Sequence, residues 1–159
     1  MSYTEIYGVK NNGEVVFVGE VENAWRGAMF VWKQLADKYE VGGDLFGGFH
    51  ELWAMADTGR LVDYENMVMK STFDNVVVKR EDLARLIMSF RKYGELNPNS
   101  SFLEQAKIIE EEILKDGNMV GVCWNQISVN ENPWCNGFDE EADEYIPYNT
   151  TKQNKHWYM

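Results

Sequence analysis

The tetrapeptide Lys10-Asn11-Asn12-Gly13 separates two runs rich in β-formers, Tyr3 to Val9 and Glu14 to Val21. Asn-Gly supplies residues that accept positive φ, the backbone condition for a tight link between antiparallel strands. The chain thus begins by committing Ile6 and the Val15-Val16-Phe17-Val18 cluster to a hairpin that later elements must cover.

Helical spacing follows at once. Trp25, Ala28, Met29, Trp32, Leu35, Ala36 and Tyr39 recur along one stripe, with Asn23 placed to cap it and Gly42-Gly43 to stop it. A shorter helix is expected from about Phe49 to Asp57, with Phe49, Leu52, Trp53 and Ala56 inward and Gly59 past its end. The middle reads as a second β-rich stretch, Leu61 to Met69 and Asn75 to Lys79, joined by a turn at Thr72-Phe73-Asp74-Asn75. Leu83, Leu86, Ile87 and Phe90 then mark a helix from Arg80 to about Tyr93, ended by Gly94 and Asn97-Pro98-Asn99. Ser101 with Glu104 has capping-box spacing for a helix to about Lys115 that buries Phe102, Ala106, Ile109 and Ile113. A strand from Met119 to about Val129 completes the regular structure. The order ββααββααβ predicts an α+β single domain, an antiparallel or mixed sheet packed against helices. Residues 1–130 form the expected core, and 131–159 an acidic, aromatic segment packed on that core or on a partner.

At 159 residues, 45% hydrophobic and 26% charged, the chain suits one folded domain rather than a disordered one. No run approaches the roughly 18 apolar residues of a membrane span, so no membrane partner is expected. The start, Met1-Ser2-Tyr3-Thr4-Glu5, has neither a basic n-region nor an apolar h-region, and two cysteines make no disulfide framework. The expected compartment is the cytoplasm. The net charge of −11 repels phosphate backbones, which argues against direct nucleic-acid binding. The basic residues cluster at Lys79, Arg80, Arg85, Arg91 and Lys92; of these Arg80, Arg91 and Lys92 are expected on a solvated helix face countered by Glu81 and Asp82.

Several chemistries fail on spacing. His50-Glu51 opens like the zinc-protease helix, but Ala54 stands where the second histidine belongs. Gly42 to Gly48 lacks both the Lys-Ser/Thr of a phosphate loop and the dinucleotide fingerprint. Cys123, Cys135, His50 and His156 contain no close ligand pair, so neither a metal nor a cofactor is expected. Cys135 has no base at a spacing that marks a thiol nucleophile. Asp63 and Glu65 lie two apart in the expected strand and so share a face, as paired acid–base carboxylates do, but exposed acids of an acidic protein make the same pattern. No catalytic residue is assigned.

The aromatic content is 14%, with six tryptophans. Trp25, Trp32 and Trp53 belong to core stripes, whereas the last segment sets aromatics among acids. Trp134, Phe138, Asp139, Glu140, Glu141, Asp143, Glu144, Tyr145, Trp157 and Tyr158 are therefore the candidate partner-binding residues. The expected function is a non-enzymatic interaction or inhibitor module that docks on a protein with a basic surface. A phage or mobile-element antagonist of a host nucleic-acid-handling or defence protein is one form of it. On this reading Trp134→Ala weakens binding and leaves thermal stability nearly unchanged. The alternative is a small-molecule or nucleotide-binding protein whose pocket uses Trp124, Asn125, Asn132 and Tyr148. The Trp-rich faces suit a homo-oligomer as well as a monomer core.

Overall fold

The computed structural model describes residues 3–23, 27–42, 49–73, 75–126 and 132–159. Strands are β1 (Tyr3–Lys10), β2 (Val15–Glu22), β3 (Val76–Lys79), β4 (Met119–Gln126), β5 (Cys135–Asp139), β6 (Glu144–Pro147) and β7 (Trp157–Tyr158). Helices are α1 (Ala28–Tyr39), α2 (His50–Asp57), α3 (Asp63–Ser71), α4 (Leu83–Leu96) and α5 (Phe102–Ile109). A 3-10 turn, Arg80–Asp82, leads into α4, and a π-helical turn, Glu110–Leu114, extends α5.

The opening hairpin forms where expected, but only Gly13 of the Asn-Gly pair takes a positive φ, 88°, while Asn12 Oδ1 accepts from the Glu14 N–H at 3.0 Å. The register pairs Tyr7 with Phe17 and Ile6 with Gly19, so Val18 is the extra residue of a bulge. The main sheet runs β2-β1-β4-β3-β7, antiparallel except where β3 meets β7 in parallel. Side chains alternate across it. Ile6, Val76, Val78, Val122 and Trp124 face the helices, while Tyr7, Val9, Val77 and Cys123 face the other way and are covered by Trp134 and Tyr148. The sheet is therefore a middle layer, helices on one side and the C-terminal segment on the other.

Five expectations about helix placement, stripes and caps are corrected by this structure. The largest concerns Leu61 to Met69, where a helix, α3, replaces the expected strand. Its buried residues Glu65, Val68 and Met69, with Leu61 just before the helix, have helical spacing with a carboxylate among them. Glu65 is only 1% exposed and accepts from Lys38 Nζ at 2.8 Å and from the Tyr39 hydroxyl, tying α3 to the end of α1. Asp63 and Glu65 consequently share no face: Asp63 is exposed and held by Arg85, which keeps its carboxyl below the ordinary carboxylate range.

The other four are local. Asn23 does not cap α1; its Oδ1 accepts from the Thr4 hydroxyl at 2.7 Å, and Gly27 occupies the cap. Met29 is exposed, its core place on α1 taken by Val31. Gly94 lies inside α4 rather than at its end, because a Cβ there would come within 2.7 Å of Leu103 Cγ and hold α5 away. The Ser101 hydroxyl accepts from Gln105 Nε2 instead of closing a capping box. Trp25, the segment 43–48, Asp74 and the expected end of the last strand at Val129 lie outside the described residues.

Candidate functional site

The segment after β4 returns across the outer sheet face and divides into an anchored part and a projecting part. Trp134 and Tyr148 anchor it. Their rings meet edge to face at 5.3 Å, both are buried, and the Tyr148 N–H donates to the Trp134 carbonyl at 3.0 Å. The Trp134 indole N–H donates to the Trp124 carbonyl at 2.7 Å. The Tyr148 carbonyl accepts from the Val15 N–H at 2.9 Å, so the anchor also grips the first hairpin.

Between these anchors β5 and β6 form a two-stranded hairpin apart from the main sheet. An isolated ribbon of this size is marginal in water, which is why its base needs the buried Trp134–Tyr148 pair. Phe138 lies directly opposite Tyr145, rings 5.1 Å apart and edge to face. At the tip Asp139 Oδ1 accepts from the N–H groups of Glu141 and Ala142, and Asp143 takes the left-handed φ of 54° that acids tolerate better than most residues. The result holds Tyr145 73% exposed and Phe138 46% exposed, with Ile146 also exposed as the next residue of β6, on a hairpin that carries five carboxylates. Among the described residues none of Asp139, Glu140, Glu141, Asp143 and Glu144 is in an ion pair.

The candidate partner-binding residues thus fall into three places. Phe138, Tyr145 and the five acids come together on the hairpin. Trp134 is in the interior and presents nothing to a partner. Trp157 and Tyr158 form the edge strand β7; the Trp157 ring lies against Phe73 at 6.1 Å and the Tyr158 ring takes the Lys79 ammonium at 4.7 Å. Ile146 was missed by sequence reasoning, although its place between Tyr145 and Pro147 in a β-like run was visible.

The four residues of the alternative reading are engaged within the chain. The Trp124 indole donates to Gln105 Oε1 at 3.1 Å and its ring packs on Phe90. Asn125 donates to Glu5 at 3.1 Å, and Asn132 donates to the Tyr7 hydroxyl at 2.8 Å. The Tyr148 hydroxyl accepts from the Lys155 N–H at 2.9 Å and is hydrogen-bonded with His156 Nδ1 at 2.8 Å. A groove of about 410 Å³ opens elsewhere on the outer face, between Lys79, Val77, Gly121 and Tyr158.

The basic residues are likewise engaged. Arg80 is not on a solvated face: its guanidinium donates to the carbonyls of Ile113, Leu114, Asp116 and Met119, closing the end of the α5 extension. Arg85 pairs with Asp63, Arg91 with Glu110, and Lys92 lies over the Tyr64 ring. Among the described residues no group of three or more His, Cys, Asp or Glu side chains is placed to hold one metal ion. No helix among them is long and apolar enough to cross a membrane.

Two measurable consequences follow. Cys123 is fully buried, which pushes its thiol well above the ordinary value, whereas Cys135 is part-exposed at the hairpin base. A disulfide-exchange reagent should titrate one thiol per native chain and two after denaturation; two in the native state would contradict the burial of Cys123. Burial also lowers the pKa of His156 from its ordinary 6.5. The unfolded chain then binds the extra proton first, so this contribution is complete above pH 6.5 and fades as pH falls from 6.5 towards the folded-state value. Melting temperature should decline less between pH 7 and 5 in His156→Asn than in the wild type, and parallel curves would contradict this.

Comparison with known proteins gave no matching family model, no matching curated protein and no matching solved structure.

Proposed function

We propose that the protein is a non-enzymatic interaction module that binds a basic protein surface through the β5–β6 hairpin. The observation that carries this reading is the Phe138–Tyr145 pair, held in solvent on a buried anchor in a hairpin whose five carboxylates make no ion pair among the described residues. Exposed aromatics with few rotors are the side chains from which interface hot spots are made. The acids supply long-range attraction to a positive surface, which raises the association rate more than the affinity. A surface that ordinarily holds nucleic acid is the fitting partner class, and an antagonist of such a protein is the role this implies.

The test is capture from host lysate after nuclease treatment, using wild type, Phe138→Ser with Tyr145→Ser, and Glu140→Gln with Glu141→Gln and Asp143→Asn. These surface changes should alter stability by no more than about 0.5 kcal/mol each. Wild type should retain a stoichiometric protein that the aromatic variant loses, roughly tenfold or more in affinity. The neutralised variant should hold it less well, and with a weaker dependence on salt. Equal capture by all three would overturn the reading.

A further inference from the structure

We infer that the free edge of β2 is a docking site for an extended, Lys/Arg-bearing peptide segment, which adds to the sheet as a sixth strand. The inference rests on the proposed basic partner and specifies how part of it is held. β2 and β7 are the edges of the main sheet; β7 has two residues, but β2 has eight. The chain at Tyr148–Asn149 covers only the start of β2, through the Val15 N–H and a bridge between Glu14 and Asn149. Backbone groups alternate sides along a strand, so the N–H of Phe17, two residues after Val15, points outward as well. Among the described residues no strand pairs with β2 on that side beyond this point.

The protection of this edge is acidic: it carries Glu20, Glu22 and the bulge at Val18, but no Lys and no Pro. Phe17 stands 54% exposed on the outer face, its ring edge-on to Tyr7 at 5.8 Å. On the same face Glu5 and Glu20 are directly opposite one another across β1 and β2. Glu5 is held by the Tyr7 hydroxyl and Asn125, but among the described residues neither acid has a cationic partner. Like charges directly opposite are unfavourable, and a cation on the neighbouring added strand would relieve them. That charge argument selects the occupant. A second copy of this chain would bring its own Glu14, Glu20 and Glu22 to the edge, whereas a basic strand brings the missing charge. Main-chain bonds to the edge would supply affinity, and alternate side chains over Phe17 and Glu20 the selectivity.

The probes are a labelled peptide alternating Val and Arg and its Val/Glu counterpart, titrated against the intact protein. The Val/Arg peptide should bind and slow amide exchange at Phe17, and the Val/Glu peptide should not. Proline is tolerated on an edge strand where the N–H faces solvent, so Phe17→Pro should fold yet lose binding at least tenfold, with melting temperature as the check. Phe17→Thr keeps the N–H and should lose less. Equal losses in the two variants, or binding with no protection at Phe17, would overturn strand addition. So would concentration-dependent dimers abolished by Phe17→Pro, which would make a second copy the occupant. Val/Arg binding lost on Glu20→Gln but kept in Phe138→Ser with Tyr145→Ser would support the edge site even if the hairpin reading failed. Loss of lysate capture in the hairpin variants alone, with no Val/Arg binding to the edge, would reject the edge site and leave the hairpin reading standing.

Discussion

Trp134→Ala should destabilise the domain by about 3–5 kcal/mol, the range for removing a large aromatic from a packed interior. Trp134 is 2% exposed, packs on Tyr148 and sits with Tyr7, Val9, Val15, Val77 and Cys123 on the outer sheet face. Its loss leaves a cavity and deprives the Trp124 carbonyl of a donor at 2.7 Å. For a chain of this size the melting temperature should fall on the order of 10 °C. Trp134→Phe keeps most of the apolar area but not the N–H, and should cost less, roughly 1–3 kcal/mol. This reverses the expectation drawn from sequence, in which Trp134 belonged to the binding surface and its removal spared stability. Thermal melts of both variants decide it: an unchanged midpoint for Trp134→Ala would mean that the segment does not pack on the sheet.

Glu65→Ala is the second large effect. The carboxylate is buried between α1 and α3, and removing it leaves the Tyr39 hydroxyl without its acceptor and a void against Val68 and Met69. Breaking a fully buried pair costs about 3–5 kcal/mol, but the Lys38 side chain is 46% exposed and can return to water, so roughly 2–3 kcal/mol is expected. Lys38→Met leaves the Glu65 carboxylate buried with the Tyr39 hydroxyl as its remaining partner, so it should also destabilise by roughly 2–3 kcal/mol, whereas Lys38→Arg, which keeps the charge, should cost less than about 1 kcal/mol. Costs below about 1 kcal/mol for both Glu65→Ala and Lys38→Met in chemical denaturation would contradict the burial of Glu65.

These two residues show where sequence reading stops. The first hairpin was legible because its signals are local: Asn12-Gly13 between β-rich runs, with Gly13 taking the positive φ the turn needs. The buried faces of α4 and α5 were legible because Leu83, Leu86, Ile87 and Phe90, then Phe102, Ala106, Ile109 and Ile113, keep the helical period without interruption. The α3 segment failed because the period runs through a glutamate. Its compensating partners, Lys38 and Tyr39, lie on another helix and are not adjacent in sequence. Arg80 was misplaced for the same reason, since the carbonyls it satisfies belong to the α5 extension and the start of β4. In the last segment, Phe138 and Tyr145 stand exposed among acidic neighbours, which are visible in the sequence. Trp134 has polar neighbours too, but its fate is set by Trp124 and Tyr148, which only the folded chain brings to it.

Amide hydrogen exchange on the intact protein tests most directly the claim that this segment is both part of the domain and its projecting contact surface. The account predicts that Tyr148, whose N–H bonds the Trp134 carbonyl, is protected to the level of β4, while Glu140 to Asp143 exchange near the free-peptide rate. Fast exchange at Tyr148 together with the tip would contradict it, because the hairpin would then have no fixed base from which to present Phe138 and Tyr145.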